Sequence, residues 1–533
     1  MLKKKSVISL VLAIYLIVMT VPVFASSIKP TILFVPHDDR PVSFRQTANT
    51  LSKMKYNLYV PPQELLGNRD DLGKPDELWD WLFANAKKAD AVVLSSDSLL
   101  YGSLVASRKH NEKEEVILKR TDNFSRLKQQ NPNLKIYVFG SIMRTPRSGE
   151  AAGSEEPSYY AKYGADIFKF TALTDKSETL GLTRKEGRDL KKLEKSLPKA
   201  AINDWMSRRN KNFNANKQMI GLARAGDFNY LVLGRDDNAP FSQTNKESRL
   251  LDKESLDLGI SKFQTLSGID EMGMVLLARA VNDLEWNVPL VSVQYADGVG
   301  EKTIPSYANE EIGKAIHAHL VAAGAIPAFS DKRADFVLVV NTNKNGETYE
   351  ANFPNNTIEP RENTKSVADT IQKYLDKGKQ VAIADISFAN GADNALMHEL
   401  NKRGMLPKVL AYSGWNTANN SAGYAIGQGV LAKNMSQEDK NYLLSIRFLD
   451  DWAYQANIRQ AVASEPKTLK GGSYSKLDKA KFKVIKSTQE KMNQFSKENL
   501  KQFSIEEVRV DFPWNRMFEV DVNIKENKSK KDR

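Results

Sequence analysis

The chain has 533 residues, a formal net charge of +12 and no cysteine, with 41% hydrophobic residues. That excludes disulfide scaffolding and thiol chemistry, and it leaves enough apolar material for two or three domains with real cores. Nucleic-acid binding is disfavoured despite the positive charge, because no basic stripe with interleaved aromatics forms a recognised module.

Residues 1–25 read as a signal peptide. Lys3, Lys4 and Lys5 precede an apolar run from Val7 to about Met19, and Val23-Phe24-Ala25 offers a cleavage site. An uncleaved membrane anchor is the competing reading, and Pro22 with the Val-x-Ala pattern favours cleavage. Removing the segment takes away three lysines and no acids, so the charge falls from +12 to +9. No second stretch of about 18 apolar residues follows that could span a bilayer. The expected location is secreted, extracellular or wall-associated, where a basic protein is drawn to anionic wall polymers. The tail, residues 525–533 (KENKSKKDR), reads as a disordered basic end.

Beyond the signal, apolar runs alternate with helical patterns. Strands are expected at Thr31–Val35, Asn57–Val60, Ala91–Leu94, Lys135–Phe139 and Tyr230–Leu233, with helices at Pro75–Lys88, Glu114–Gln130, Arg184–Arg224 and near Asp270–Asn282. The second half repeats the plan. Its strands are expected at Pro289–Tyr295, Ile326–Phe329, Asp335–Val340, Gln380–Ala384 and Lys408–Tyr412, with helices at Asn309–Ala323, Ser366–Lys377 and Ala392–Arg403. Such alternation implies parallel sheets with right-handed crossovers. Two doubly wound domains, residues 28–285 and 286–435, fit this count, followed by a mainly helical region over 436–524. A single (β/α)-barrel is the alternative.

The strand ends carry the chemistry. They supply Asp38, Asp39 and Arg40; Asp97; Arg144; Arg235, Asp236, Asp237 and Asn238; Asp297; Asn343; Asp385; and Trp415 with Asn416. In a parallel sheet these ends share one edge. Carboxylates gathered there raise one another's pKa values unless arginines or a bound divalent cation, Ca²⁺ or Mg²⁺, offset them. Each aspartate can also be a simple helix cap. Adjacent residues of a strand face opposite ways, so one member of each Asp-Asp pair is expected in the cleft, here Asp39 and Asp237. Asp270 and Glu271 open a helix, where a favourable first turn competes with a site role. His37 beside the first pair is a base or metal ligand, or a half-buried structural histidine. The stretch Ser413–Gly429 combines small residues with Trp415 and Asn416, equipment for holding a sugar. No GxSxG, GxxxxGK[ST] or HExxH motif is present.

The stretches VPHDDRPV (35–42), SSDSLLYGSLVASR (95–108), LGRDDNAPF (233–241), GIDEMGMVLLAR (268–279) and YSGWNTANNSAG (412–423) resemble the bacterial family DUF4127, a domain of unknown function. The resemblance implies a shared strand-end site and supplies no reaction. The expected function is hydrolysis of a polar, carbohydrate-containing substrate of the cell envelope. Asp39, Asp237 and Asp297 are the expected acid/base groups. Arg40, Asp97, Arg144, Arg235, Asp236, Asn238, Asp385, Trp415 and Asn416 are the expected substrate contacts. No cofactor is evidently required. The alternative is a bilobed solute- or glycan-binding protein without catalysis.

Overall fold

A computed structural model describes residues 29–149, 155–236 and 238–526. The expected signal peptide, residues 1–25, most of the basic tail and Asp237 lie outside the described residues.

Short runs of apolar residues build two open sheets, each wholly parallel. The first holds β1 (Thr31–Val35), β2 (Asn57–Tyr59), β3 (Ala91–Ser95), β4 (Lys135–Ile142), β5 (Tyr230–Arg235) and β6 (Phe263–Ser267), in the order β2-β1-β3-β4-β5-β6. The second holds β7 (Leu290–Tyr295), β8 (Ile326–Pro327), β9 (Phe336–Asn341), β11 (Val381–Asp385) and β13 (Ala411–Ser413), in the order β13-β11-β9-β7-β8. The two-residue strands β10 (Tyr349–Glu350) and β12 (Phe388–Ala389) pair beside it. Neither main sheet closes, so the barrel alternative is set aside. Both are doubly wound, and both follow the order 2-1-3-4-5 in their own strands, with a sixth added at the edge of the first. The expected strands are present. The last begins at Ala411 rather than Lys408, because Leu406–Lys408 around Pro407 coils into a tight turn. Strand β6 escaped the sequence reading, since FQTLS mixes polar and apolar residues as an edge strand does.

Side chains alternate across each sheet. In the first, Ile32, Phe34, Val93 and Val232 face inward, while Leu33, Val35, Val92 and Leu233 meet an outer layer that includes Leu78 and Leu82 of the Pro75–Ala86 helix. In the second, Leu338, Val340 and Ala382 face inward, while Val337, Val339 and Ile383 face outward. The two inward faces share one core cluster, filled by helices Met272–Glu285, Ile312–Ala322 and Ala418–Ala432. Every residue of Ala418–Ala432 is buried, and a Cβ on Gly427 would meet the Met274 side chain at 2.7 Å. The small residues therefore serve close helix packing.

The C-terminal region covers the outer face of the second sheet. Helix Gln437–Arg447 runs into a π-helical stretch, Phe448–Ile458, and helix Lys481–Asn499 packs on it. A hairpin of β14 (Ile505–Asp511) and β15 (Asp521–Glu526) follows. Its long connection returns the chain to the first sheet, as shown by the bond from Trp514 Nε1 to Asp39 at 2.6 Å. Among the described residues no helix is long and apolar enough to cross a membrane.

Candidate functional site

The first sheet reverses direction of winding between β1 and β3, and a cleft of about 780 Å³ opens beside their carboxyl ends. Its wall draws on three sources: Arg40, Arg108, Arg144, Asp236 and Asp270 from the first half, Tyr307, Asn390 and Asn416 from the second, and Tyr474, Trp514, Arg516 and Phe518 from the C-terminal region.

Pro36 and Pro41 bracket the loop after β1. Within it Asp38 accepts both the backbone N–H of Arg40 (3.1 Å) and its Nε–H (2.9 Å), which folds the guanidinium back over the loop. Arg40 then donates from Nη2 to Asp270 Oδ1 at 2.6 Å. Asn416 donates to the other Asp270 oxygen at 2.7 Å, so groups from both halves fix one carboxylate. Burial alone would raise the Asp270 pKa, but Arg40 and His37 outweigh it and hold the carboxyl well below the usual range. Asp270 is thus an ionised, immobilised carboxylate.

Asp39 goes elsewhere. Its oxygens accept Trp514 Nε1–H and Gln63 Nε2–H (3.3 Å), and it does not line the cleft. Burial raises its pKa, only partly offset by the Trp514 bond. The pair therefore splits as strand geometry requires, with Asp38 tied to Arg40 and Asp39 to the C-terminal hairpin. His37 sits behind. Its Nε2 lies 2.9 Å from Ser43 Oγ and 3.4 Å from Asp270 Oδ1, and Nδ1 has no partner among the described residues. A serine–histidine–aspartate relay needs the two ring nitrogens to serve different partners, so this is not one.

A second cluster forms around Glu155. Arg516 (2.6 Å), Arg108 (2.8 Å) and Arg144 (3.2 Å) all reach its carboxylate, and Arg144 Nε also binds Glu156 at 2.8 Å. Burial opposes ionisation of Glu155, yet the arginines hold it well below the ordinary range. Asp236 stands 3.9 Å from Arg144 Nη1 with its side chain a quarter exposed. Arg40 and Arg516 both lie over the Trp514 ring, at 5.1 and 4.9 Å.

The other predicted residues fall outside this wall. Asp97 is buried behind it, accepts Ser141 Oγ–H at 2.9 Å, and has its pKa pushed up to about 6 by burial. Arg235 binds Glu310 (2.9 Å) and Asn238 binds Asn309 (2.6 Å), tying the loop after β5 to the second half. Asp297 is exposed beyond β7, and Asp385 is buried under Asn341, Tyr412 and the Asp393 backbone. Trp415 is buried against Phe518 rather than presenting a free face. Asp237 is undescribed. Arginines provide the offset seen here; among the described residues no group of three or more acids and histidines is placed to hold a metal.

Three cleft residues have left-handed backbones without being glycine: Tyr307 (φ 68°), Asn390 (φ 61°) and Asn416 (φ 62°). Asparagine tolerates that region, but a bulky tyrosine there is strained, and such strain concentrates at functional sites. Asn390 and Tyr307 are linked through Glu350, which accepts from both, at 2.8 and 3.0 Å.

Sequence reasoning missed Glu155, Trp514, Arg516 and Phe518. The last three come from a connection more than 470 residues from β1, with no local motif to mark it.

Fold and site together define a doubly wound two-sheet protein with an arginine- and carboxylate-lined cleft between its halves. The chain belongs to the family described as protein of unknown function (DUF4127), whose model matches residues 32–523. No curated protein and no solved structure matches it.

Proposed function

We propose that the cleft hydrolyses a polar, carbohydrate-containing substrate of the cell envelope, reached by export of the chain. The carrying observation is Asp270, an ionised carboxylate fixed by Arg40 and Asn416 on the wall of a cleft large enough for a sugar. In glycoside hydrolysis such a group attacks the anomeric carbon or stabilises its positive charge. A second carboxyl group gives a proton to the leaving oxygen as the C–O bond breaks, and water supplies the replacing hydroxyl. Asp236, the more exposed acid of the wall, takes that donor role in this reading. Phe518, Tyr307 and Tyr474 offer faces for sugar rings. The arginines suit a substrate bearing acidic groups.

The second reading, a glycan-binding protein without catalysis, rests on a specific observation: Asp270 and Glu155 are both held ionised by arginines. A glycosidase needs one carboxyl group that keeps its proton.

The test is turnover of muropeptides and aryl glycosides by the chain lacking residues 1–25, beside its Asp270→Asn and Asp236→Asn variants. Hydrolysis by the parent that falls about 10²–10⁴-fold in each variant supports the enzyme. Binding of these ligands without turnover in the parent selects the second reading. Full turnover in Asp270→Asn removes the site from both.

A further inference from the structure

The second sheet reverses its winding between β7 and β9, as the first does between β1 and β3. Doubly wound sheets seat ligands outside the carboxyl ends at that reversal. The first sheet's reversal is the cleft already described. At the second, a separate cavity of about 180 Å³ lies against the exit of β9 and the start of helix Thr364–Asp376.

Two polar atoms of its lining residues are buried and unmet. Thr342 Oγ1 has no hydrogen-bond partner among the described residues, although Thr342 is only 1% exposed. Arg361 Nη1 has none either, while the rest of that guanidinium is held: Nη2 binds Asp393 and the plane lies 4.7 Å from the Phe388 ring. The adjoining helix starts without a side-chain cap. Asn363 spends its amide on the carbonyls of Asp297 (2.8 Å) and Thr342 (3.0 Å) instead. A buried donor left unmet is expensive, and an uncapped helix start attracts negative charge. Lys344 adds a cation whose partner, Glu362, forms an exposed and therefore weak pair with it. Asp297, Glu362 and Asp393 are the opposing charges nearby, the first two exposed to solvent.

Arg361 Nη1–H asks for an acceptor and the Thr342 hydroxyl can donate to the same one, and the space is below the roughly 300–1,000 Å³ of a drug-sized ligand site. We propose that this crevice binds a phosphate group, free or at the end of a small organic ester. Arg361 Nη1–H and Thr342 O–H donate to its oxygens, the helix start faces it, and Lys344 closes over it. This site is independent of the hydrolytic cleft.

Because the arginines of that cleft also attract anions, the test must resolve position. Hydrogen exchange read by mass spectrometry, with inorganic phosphate or glycerol 3-phosphate at constant ionic strength, does so. The expected result is saturable protection over residues 341–347 and 361–367. Thr342→Val and Lys344→Ala each weaken it about tenfold, the size of a hydrogen bond or contact to a charged group. Thr342→Val also leaves the melting temperature equal to or above the parent's, since it deletes a buried unmet hydroxyl at constant shape. A stronger response to the ester assigns an organic tail to the ligand, and equal responses assign phosphate alone. Protection confined to the cleft segments, no protection at all, or unchanged binding in both variants overturns the proposal. A Thr342→Val protein that melts well below the parent overturns it too, because the hydroxyl then has a structural partner.

Discussion

The two sheets share a strand order and end in aspartates, yet their carboxyl edges have become different things. At the first edge, guanidinium groups from several elements converge on the acids, and a hairpin from the far C-terminus adds aromatic faces over an open cleft. At the second, Asp385 is closed over by neutral donors, Asn341 Nδ2–H (2.8 Å), Tyr412 O–H (2.7 Å) and the Asp393 N–H (2.8 Å). An aspartate at a strand end is therefore a site or a strut according to what the neighbouring loops bring to it. Topology supplies the address only.

The sharpest way to break this contrast is to neutralise one acid at each edge. Asp270→Asn keeps the volume but sets an amide against the Arg40 or Asn416 donors, so stability falls by about 3 kcal/mol, and turnover per folded molecule on any substrate found also falls about 10²–10⁴-fold. Asp385→Asn costs stability alone. Its new amide N–H₂ must face Asn341 or the Tyr412 and Asp393 donors, so stability falls by about 3 kcal/mol with activity per folded molecule unchanged. Chemical denaturation paired with active-site-normalised rates checks both. If Asp385→Asn loses activity while fully folded, the second edge belongs to the reaction and the contrast fails.

This difference was only half legible in the sequence. Buried parallel strands announce themselves as apolar runs, so Tyr230–Leu233 and Asp335–Val340 could be read directly, and with them the edge on which Asp38, Asp97 and Asp385 stand. Which acid is offset, and by what, depends on contacts between distant residues. Arg516 meets Glu155 across 361 positions and Trp514 meets Asp39 across 475, so no local pattern can carry either. Asp270 sits at the start of a helix where an acid is favourable in any case, so the sequence left its two readings even. Trp415 looked like a sugar platform, but the same small-residue packing that let its helix enter the core also buried the ring.

Asp97 and Asp385 sharpen the comparison through pH. Burial pushes both pKa values up to about 6, with Asp393 adding to the shift at Asp385. An acid whose folded pKa is raised binds its proton more tightly folded than unfolded. Its contribution is therefore fully present below the unfolded value near 4 and lost as pH rises through about 6. Asp97 has a single side-chain donor, Ser141, and its Oδ2 is unmet, so little there requires the charge. Asp97→Asn should remove about 2 kcal/mol of the stability that the parent loses between pH 4 and pH 7. Denaturant midpoints at those two pH values measure it. Identical pH slopes in parent and variant would show that Asp97 does not titrate in this range.

The smallest expected effect tests whether the C-terminal hairpin is a wall of the site or merely its cover. Trp514→Phe keeps an aromatic ring for Arg40 and Arg516 to lie against but deletes the N–H that Asp39 accepts. The loss should be about 1 kcal/mol at pH 7, the usual net value of one hydrogen bond. It should also depend on pH in a stated direction. The Trp514 bond lowers an Asp39 pKa that burial has raised. Deleting it lets that pKa climb further, so the deficit grows as pH rises through the Asp39 titration and shrinks below pH 4, where the carboxyl is protonated in both proteins. A deficit that is flat with pH would mean that the lost contact is packing and not the bond to Asp39. If the hairpin is also a wall, the variant binds its glycan ligand more weakly at every pH, because Arg40 and Arg516, which line the cleft, lose the larger ring they lie against. Stability lost with binding unchanged would leave Trp514 as a clasp on the β1 loop, and the cleft would then be the work of the two sheets alone.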